Sequence, residues 1–193
     1  MISVSLFCEK GHSNKWYSQP IINGMALGNL RLACGVVLSG LTFQSVSETL
    51  GFSKIQGISS STFYMIQRKV LQPVVNEFFL QNNRAVIEAA KLQGGVEVCG
   101  DGQCDSPGYS AKYGIYSILN KLTGEILAFR VVHVSEAGNS NNMEKYGLIE
   151  TLKYLRSNGA QVSQLTIDRH VSCRKYILTH EKTIELQNDN WHV

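Results

Sequence analysis

Two aspartates, Asp101 and Asp168, each end a run of residues that is typical of a β-strand. The runs cover residues 96–101 and 162–168 and are rich in the aliphatic residues found in buried strands. If the strands are parallel neighbours, both carboxylates lie at the same edge of the sheet and could share divalent metal. Magnesium and manganese prefer oxygen ligands, and ions paired about 3.5–4 Å apart assist phosphodiester chemistry. The pair therefore predicts a metal site with Asp101 and Asp168 as catalytic ligands.

Each aspartate also has an ordinary structural interpretation. Asp101 precedes a glycine, which is a common turn pair, and an aspartate after a strand, such as Asp168, often caps the next helix. Asp105 competes with Asp101 for the first catalytic position, but it precedes Ser106-Pro107-Gly108 and is more typical of a turn. His170 follows Asp168 closely enough to orient a ligand or a water molecule, although such a histidine is more often structural.

The elements around these aspartates define the expected fold. Strands are predicted at residues 96–101, 111–119, 125–134, 160–167 and 183–187, and helices at residues 142–158 and 172–179. This succession, β-β-β-α-β-α-β, is that of a ribonuclease H-like α/β fold with a mixed sheet, in which the fourth strand is parallel to the first. We assign this core to residues 96–193 and expect it to bring Asp101 and Asp168 together.

The chain before this core divides into an arm, residues 1–27, and a helical region, residues 28–92. Apolar stripes predict helices at residues 30–38, 43–50 and 62–71, and Pro73 permits only a kink or a restart before residues 74–80. Three short helices are compatible with a helix-turn-helix, in which Arg68 and Lys69 on the polar face of the third helix would contact DNA. The alternative is a helical subdomain that only packs on its neighbour.

The cysteines of this sequence give little indication of a metal site or of disulfide bonds. Cys8 and His12 have the ligand types and the spacing of half a zinc site, but a closed structural site needs four ligands. Cys99 is interpreted as a small buried hydrophobic residue, because thiolates select zinc or iron whereas paired aspartates select magnesium. The five cysteines are odd in number and irregularly spaced, which favours a reducing compartment over a disulfide framework.

Composition indicates a globular protein. Of the 193 residues, 44% are hydrophobic and 17% are charged, whereas a disordered chain would have fewer apolar residues and more charge. The net charge of +3 is too small to indicate or to exclude DNA binding by itself. No apolar run is long enough to span a bilayer, so we expect a nuclear or cytoplasmic protein that is neither secreted nor in a membrane. The sequence leaves a homo-oligomer open.

Several blocks of the sequence resemble Kolobok-type DNA transposases and their domesticated relatives. The most specific block is residues 100–114, which contains Cys104-Asp105-Ser106-Pro107-Gly108. The other blocks are Met143-Glu144-Lys145, Thr166-Ile167-Asp168-Arg169-His170, Asp189 with Trp191-His192-Val193, and upstream Trp16-Tyr17-Ser18-Gln19-Pro20 and residues 58–64. Together they cover most of the chain.

The resemblance implies a cut-and-paste transposase with a metal-bound acidic triad on a ribonuclease H-like core. Asp101 and Asp168 match the first two acids, and the ions in the intact family are Mg²⁺ or Mn²⁺. The third acid is expected on a later helix beyond Val193, and Asp189 is the weaker candidate within this chain. The pair Cys8 and His12 looks like the end of a zinc-binding module.

We therefore expect a transposase-derived protein, inactive or fragmentary in this form, whose intact relatives cleave and transfer DNA strands. Whether it is an enzyme depends on a third acid. The alternative is an element-derived protein that binds DNA or serves as a scaffold without catalysis. An unrelated ribonuclease H-like nuclease would explain the strand order but neither the N-terminal helices nor the Cys-Asp-Ser-Pro-Gly stretch.

Overall fold

The computed structural model describes residues 1–107 and 110–189 and divides the chain into two compact units, Met1–Phe78 and Phe79–Val193. The block Trp191-His192-Val193 and the residues Gly108 and Tyr109 lie outside the described residues. The boundary differs from the one expected between residues 92 and 96. It lies inside a long helix whose second half buries Val86, Ile87 and Ala90 in the core of the second unit.

The first unit begins with two β-hairpins where the sequence predicted an irregular arm. Strand β1 (Ser3–Phe7) pairs with β2 (Ser13–Tyr17), and β3 (Ile21–Ile22) pairs with β4 (Met25–Ala26). Periodicity did not reveal β1 and β2 because nearly all of their side chains are exposed, so neither strand has a distinct apolar face. The turn between β3 and β4 uses Asn23 and Gly24, both at positive φ, a pair that favours tight hairpins.

Helices α1 (Leu27–Leu38), α2 (Phe43–Phe52) and α3 (Ser60–Ile66) follow. Thr42 caps α2 by accepting a hydrogen bond from the Ser45 N–H, and Ser59 caps α3 through the Thr62 N–H. These helices enclose a small apolar core that contains Ala33, Val36, Phe63, Ile66 and Leu71.

A π-helical turn, Gln67–Leu71, joins α3 to helix α4 (Gln72–Lys91). The helix therefore continues through Pro73 directly after this π turn, so the restart that the sequence allowed is not seen. Proline cannot donate a backbone hydrogen bond, and the wider π turn before Pro73 accommodates that missing donor. The helix can then continue to Lys91.

The second unit contains a five-stranded mixed sheet, which confirms the predicted α/β class. Its strands are β5 (Val96–Cys104), β6 (Tyr113–Asn120), β7 (Ile126–His133), β8 (Val162–Ile167) and β9 (Glu185–Asn188). The spatial order is β7-β6-β5-β8-β9; β5, β6 and β7 are antiparallel neighbours, and β8 is parallel to both β5 and β9. The predicted strand and helix succession is present, with one additional short helix.

Helices α5 (Val134–Ala137), α6 (Met143–Ser157) and α7 (Val171–His180) complete the unit. The core of the unit includes Val98, Tyr116 and Ile118 from the sheet and Leu148 and Leu155 from α6, each at most 1% exposed. No helix in the described part of the chain is both long enough and apolar enough to cross a membrane.

Asn83 joins three elements of the second unit and provides a test of its packing. Its side-chain amide donates to the Leu127 carbonyl at 2.8 Å and accepts from the Tyr154 hydroxyl at 2.9 Å. Asn83→Ala is expected to lower the free energy of unfolding by about 1–3 kcal/mol, because it removes the hydrogen bonds of a buried side chain and leaves the carbonyl of buried Leu127 without this donor. Chemical denaturation measures the change, with the exposed neighbour Asn82→Ala as the control; equal effects of the two changes would contradict this role.

Candidate functional site

Asp101 lies within β5, whereas the sequence predicted it at the strand end. The strand continues to Cys104, but its parallel pairing with β8 ends at Cys99 and Thr166, and beyond them only β6 pairs with it. Asp101 is exposed, and its Oδ1 accepts a hydrogen bond from the Gly102 N–H at 2.8 Å. Asp101 therefore stands just beyond the carboxyl end of the parallel ladder.

Asp168 occupies the equivalent position after β8. It lies two residues beyond Thr166, as Asp101 lies two residues beyond Cys99, so the two aspartates continue the same register on neighbouring strands. The Asp168 Oδ1 accepts from the His170 N–H at 3.0 Å, which fixes the carboxylate in the turn before α7. The carboxylates of Asp101 and Asp168 are thus brought to one edge of the sheet.

A cleft of about 390 Å³ is lined by Asp101, Asp168 and Asp189. Asp189 directly follows β9, and its N–H donates to the Ile167 carbonyl at 2.9 Å, which holds it beside β8. Cys99 is only half-buried and also lines this cleft, so the interpretation as a buried hydrophobic residue is not accurate. The three predicted acids therefore share one cleft.

Glu144 approaches the same aspartates from the first turn of α6, and sequence reasoning did not select it as a site residue. The absence of a side chain at Gly102 makes room for it, since a Cβ there would lie 2.5 Å from the Glu144 Cγ. Gly102 alternates with Asp101 along β5, so Glu144 reaches the strand from the opposite face of the sheet. Two signals were available: Met143-Glu144-Lys145 is one of the blocks that resemble the transposase family, and the glycines Gly100 and Gly102 mark a close approach to the strand.

Burial and charge raise the pKa of the Glu144 carboxyl above its ordinary value. Burial is the largest cause; His170 opposes it, and the nearby negative charges of Asp168 and Asp101 reinforce it. The pKa of the Tyr116 hydroxyl is also raised well above its ordinary value, first by burial and then by Cys173 and the same acids. The second unit thus concentrates negative charge at one edge, an arrangement that a bound cation would stabilise.

The raised pKa of Glu144 predicts a pH-dependent stability. An ionised carboxyl with a raised folded-state pKa destabilises the fold, and this cost appears as pH rises above the ordinary value of 4.5. We expect Glu144→Gln to be more stable than the parent above that pH, with the difference disappearing in more acidic solution. Melting temperatures across a pH series measure the effect, with Glu150→Gln on the same helix as the control. An advantage that grows toward low pH would contradict the prediction.

The remaining predicted residues have structural partners. The Asp105 carboxylate accepts from the N–H groups of Lys112 and Tyr113 at 3.1 and 3.2 Å, which ties it to the start of β6. The His170 ring caps α7 by accepting from the Cys173 N–H at 3.4 Å. His170 also lies 3.7 Å from Glu144, measured between the ring Nε2 and the carboxylate Oε2.

In the first unit, Cys8 and His12 face each other across the turn between β1 and β2, with 3.3 Å between the Cys8 Sγ and the His12 Nδ1. Within residues 1–107 and 110–189, no further Cys, His, Asp or Glu joins them as a third metal ligand. Arg68 and Lys69 are exposed on the π turn, and Arg68 lines a cavity of about 620 Å³.

Comparison with models of known protein families, with curated proteins and with solved structures finds no match to this chain.

Proposed function

We propose that the chain is a transposase-derived protein whose second unit binds Mg²⁺ or Mn²⁺ and acts on DNA phosphodiester bonds. The observation that carries the proposal is the position of Asp101 and Asp168, at matching points beyond the paired ends of two neighbouring parallel strands. The strand order is β7-β6-β5-β8-β9, and β6 runs in the direction opposite to the other four strands. This arrangement supports a ribonuclease H-like fold. The Kolobok-like blocks support the same assignment.

The residues at this edge fit a hard divalent cation. Asp101, Asp168 and Asp189 offer carboxylate oxygens, which magnesium and manganese prefer. The Thr166 hydroxyl, in the wall of the same cleft, is buried without a hydrogen-bond partner in the described part of the chain, and water on a hydrated cation could satisfy it. When bound, the cations would activate the attacking oxygen and stabilise the leaving oxygen.

The protein side chains would have separate roles. Asp101 and Asp168 would hold the cation, and Asp189 would supply a third carboxylate within the same cleft. Lys121 also lines the cleft, where its ammonium group donates to Gln164 Oε1 at 2.9 Å and pairs with Glu97 at 3.4 Å, and it would exchange these partners for an entering phosphate. In the first unit, exposed Arg68 and Lys69 would contact the DNA backbone.

The test uses the whole purified chain with supercoiled and linear duplex DNA. We expect nicking or strand joining with Mg²⁺ or Mn²⁺ and none after chelation with EDTA. DNA binding without cleavage at any concentration of either cation would contradict the catalytic proposal and favour the DNA-binding or scaffold alternative. Calorimetric titration with Mn²⁺ reports cation binding separately, and its absence would contradict the metal site itself.

A further inference from the structure

Three side chains near the proposed cation site form a second, chemically different cluster. Glu144 on α6, His170 at the start of α7 and Cys173 in its first turn each offer one ligand atom, and all three atoms lie within 4.8 Å of one another. His170 and Cys173 are three residues apart at the helix start, a spacing that places them on the same side. The cluster combines oxygen, nitrogen and sulfur donors, whereas the carboxylates of Asp101 and Asp168 offer oxygen alone.

The three side chains lie close enough together to approach the geometry of a tetrahedral zinc site. Bond lengths of about 2.3 Å to sulfur, about 2.0–2.1 Å to nitrogen and about 2.0–2.2 Å to oxygen place neighbouring ligand atoms roughly 3.3–3.6 Å apart. The Cys173 Sγ lies 3.6 Å from the Glu144 Oε1, and the His170 Nε2 lies 3.7 Å from the Glu144 Oε2. These two contacts use different oxygens of Glu144, and one ligand atom from each of the three residues lies within 4.8 Å of the others, so side-chain rotation would bring all three to one ion.

We propose that Glu144, His170 and Cys173 form a binding site for a zinc-class transition metal ion, distinct from the Mg²⁺ site at Asp101 and Asp168. Imidazole and thiolate donors select such ions over magnesium. Three protein ligands leave the fourth tetrahedral position to water. On binding, the Cys173 thiol releases its proton to solvent as the sulfur–metal bond forms, and neither the protein nor the ion changes oxidation state.

Ser172 allows the His170 ring to adopt the tautomer that metal binding requires. A ring bound through Nε2 carries its proton on Nδ1, and the Ser172 Oγ lies 3.1 Å from that atom as an available acceptor. The longer contact of 3.4 Å, in which Nδ1 accepts from the Cys173 N–H, would then be lost. This hydroxyl would orient the imidazole toward Glu144 and Cys173.

The site itself does not depend on the proposed DNA chemistry. Glu144 and His170 retain 23% and 28% exposure of their side chains, so the ion has access from solvent, while Cys173 closes the inner side of the site.

The test is a Co²⁺ titration of the reduced whole chain without DNA or Mg²⁺. We expect one ion per chain and a near-ultraviolet absorption band from thiolate bonding to cobalt, which Zn²⁺ displaces. Cys173→Ser should abolish the band. His170→Asn keeps a helix-capping side chain and should weaken binding by at least about 10-fold, as should Glu144→Gln.

Cys8→Ser is the matched control, since Cys8 faces His12 in the first unit, and it should leave the band unchanged. A band that disappears in Cys8→Ser but persists in Cys173→Ser would overturn the proposal, as would no band in the parent. If Cys173→Ser does not fold, His170→Asn and Glu144→Gln test the proposal in its place. Unchanged Co²⁺ affinity in both variants would overturn the proposal. DNA cleavage plays no part in this readout, so its failure is distinguishable from failure of the proposed function.

Discussion

Asp101→Asn and Asp168→Asn are each expected to lower Mg²⁺-dependent DNA cleavage by more than about 100-fold. Loss of a residue that only supports a metal ligand costs 10–100-fold, and a direct ligand should cost more. Asparagine keeps the side-chain oxygen that accepts from the Gly102 or His170 N–H, so the local fold should remain while the charge is lost. Initial rates of plasmid nicking at fixed Mg²⁺ measure the effect, together with Mn²⁺ affinity.

Asp105→Asn is the matched control for these two changes. It makes the same aspartate-to-asparagine substitution directly after β5. The Asp105 carboxylate, however, accepts hydrogen bonds from the N–H groups of Lys112 and Tyr113. We expect this variant to keep the parent rate within a few-fold. Equal loss in all three variants would indicate damage to the fold, and full activity in Asp101→Asn or Asp168→Asn would contradict the site assignment.

The succession of strands along the chain was predictable because each strand of the second unit is a run of apolar and β-branched residues. This apolar pattern was weakest around Asp101. Residues 100–104 extend β5 beyond its pairing with β8, and β6 is the strand that pairs with them, so the apolar run that marks a central strand has already ended. The sequence therefore placed the strand end at Asp101, three residues before β5 ends at Cys104.

Glu144 was not predictable as a site residue because its position depends on contacts between distant segments. A glutamate in the first turn of a helix is usually solvated and favourable to the helix dipole. Here α6 lies close to the sheet at two points, where Gly102 faces Glu144 and where Gly147 faces Tyr116. Local periodicity does not show which glycine of one element meets which residue of another.

The close packing of α6 gives the second large prediction. Gly147→Ala is expected to lower the free energy of unfolding by about 1–3 kcal/mol, the usual cost of overpacking a core. An added Cβ would lie 2.5 Å from the Tyr116 Cβ, and Tyr116 is only 1% exposed, so no flexible chain end can move aside. Thermal and urea denaturation followed by circular dichroism measure the change.

Gly35→Ala on α1 is the control, because no described atom beyond its own helical turn lies within 4 Å of a Cβ added there. Alanine in an open helical position should raise the free energy of unfolding by about 0.5–1 kcal/mol. The two variants should therefore shift stability in opposite directions, and a gain at Gly147 would contradict the close contact. Since α6 carries Glu144, an outward shift of the helix in Gly147→Ala should also weaken Co²⁺ binding, whereas Gly35→Ala should leave it unchanged.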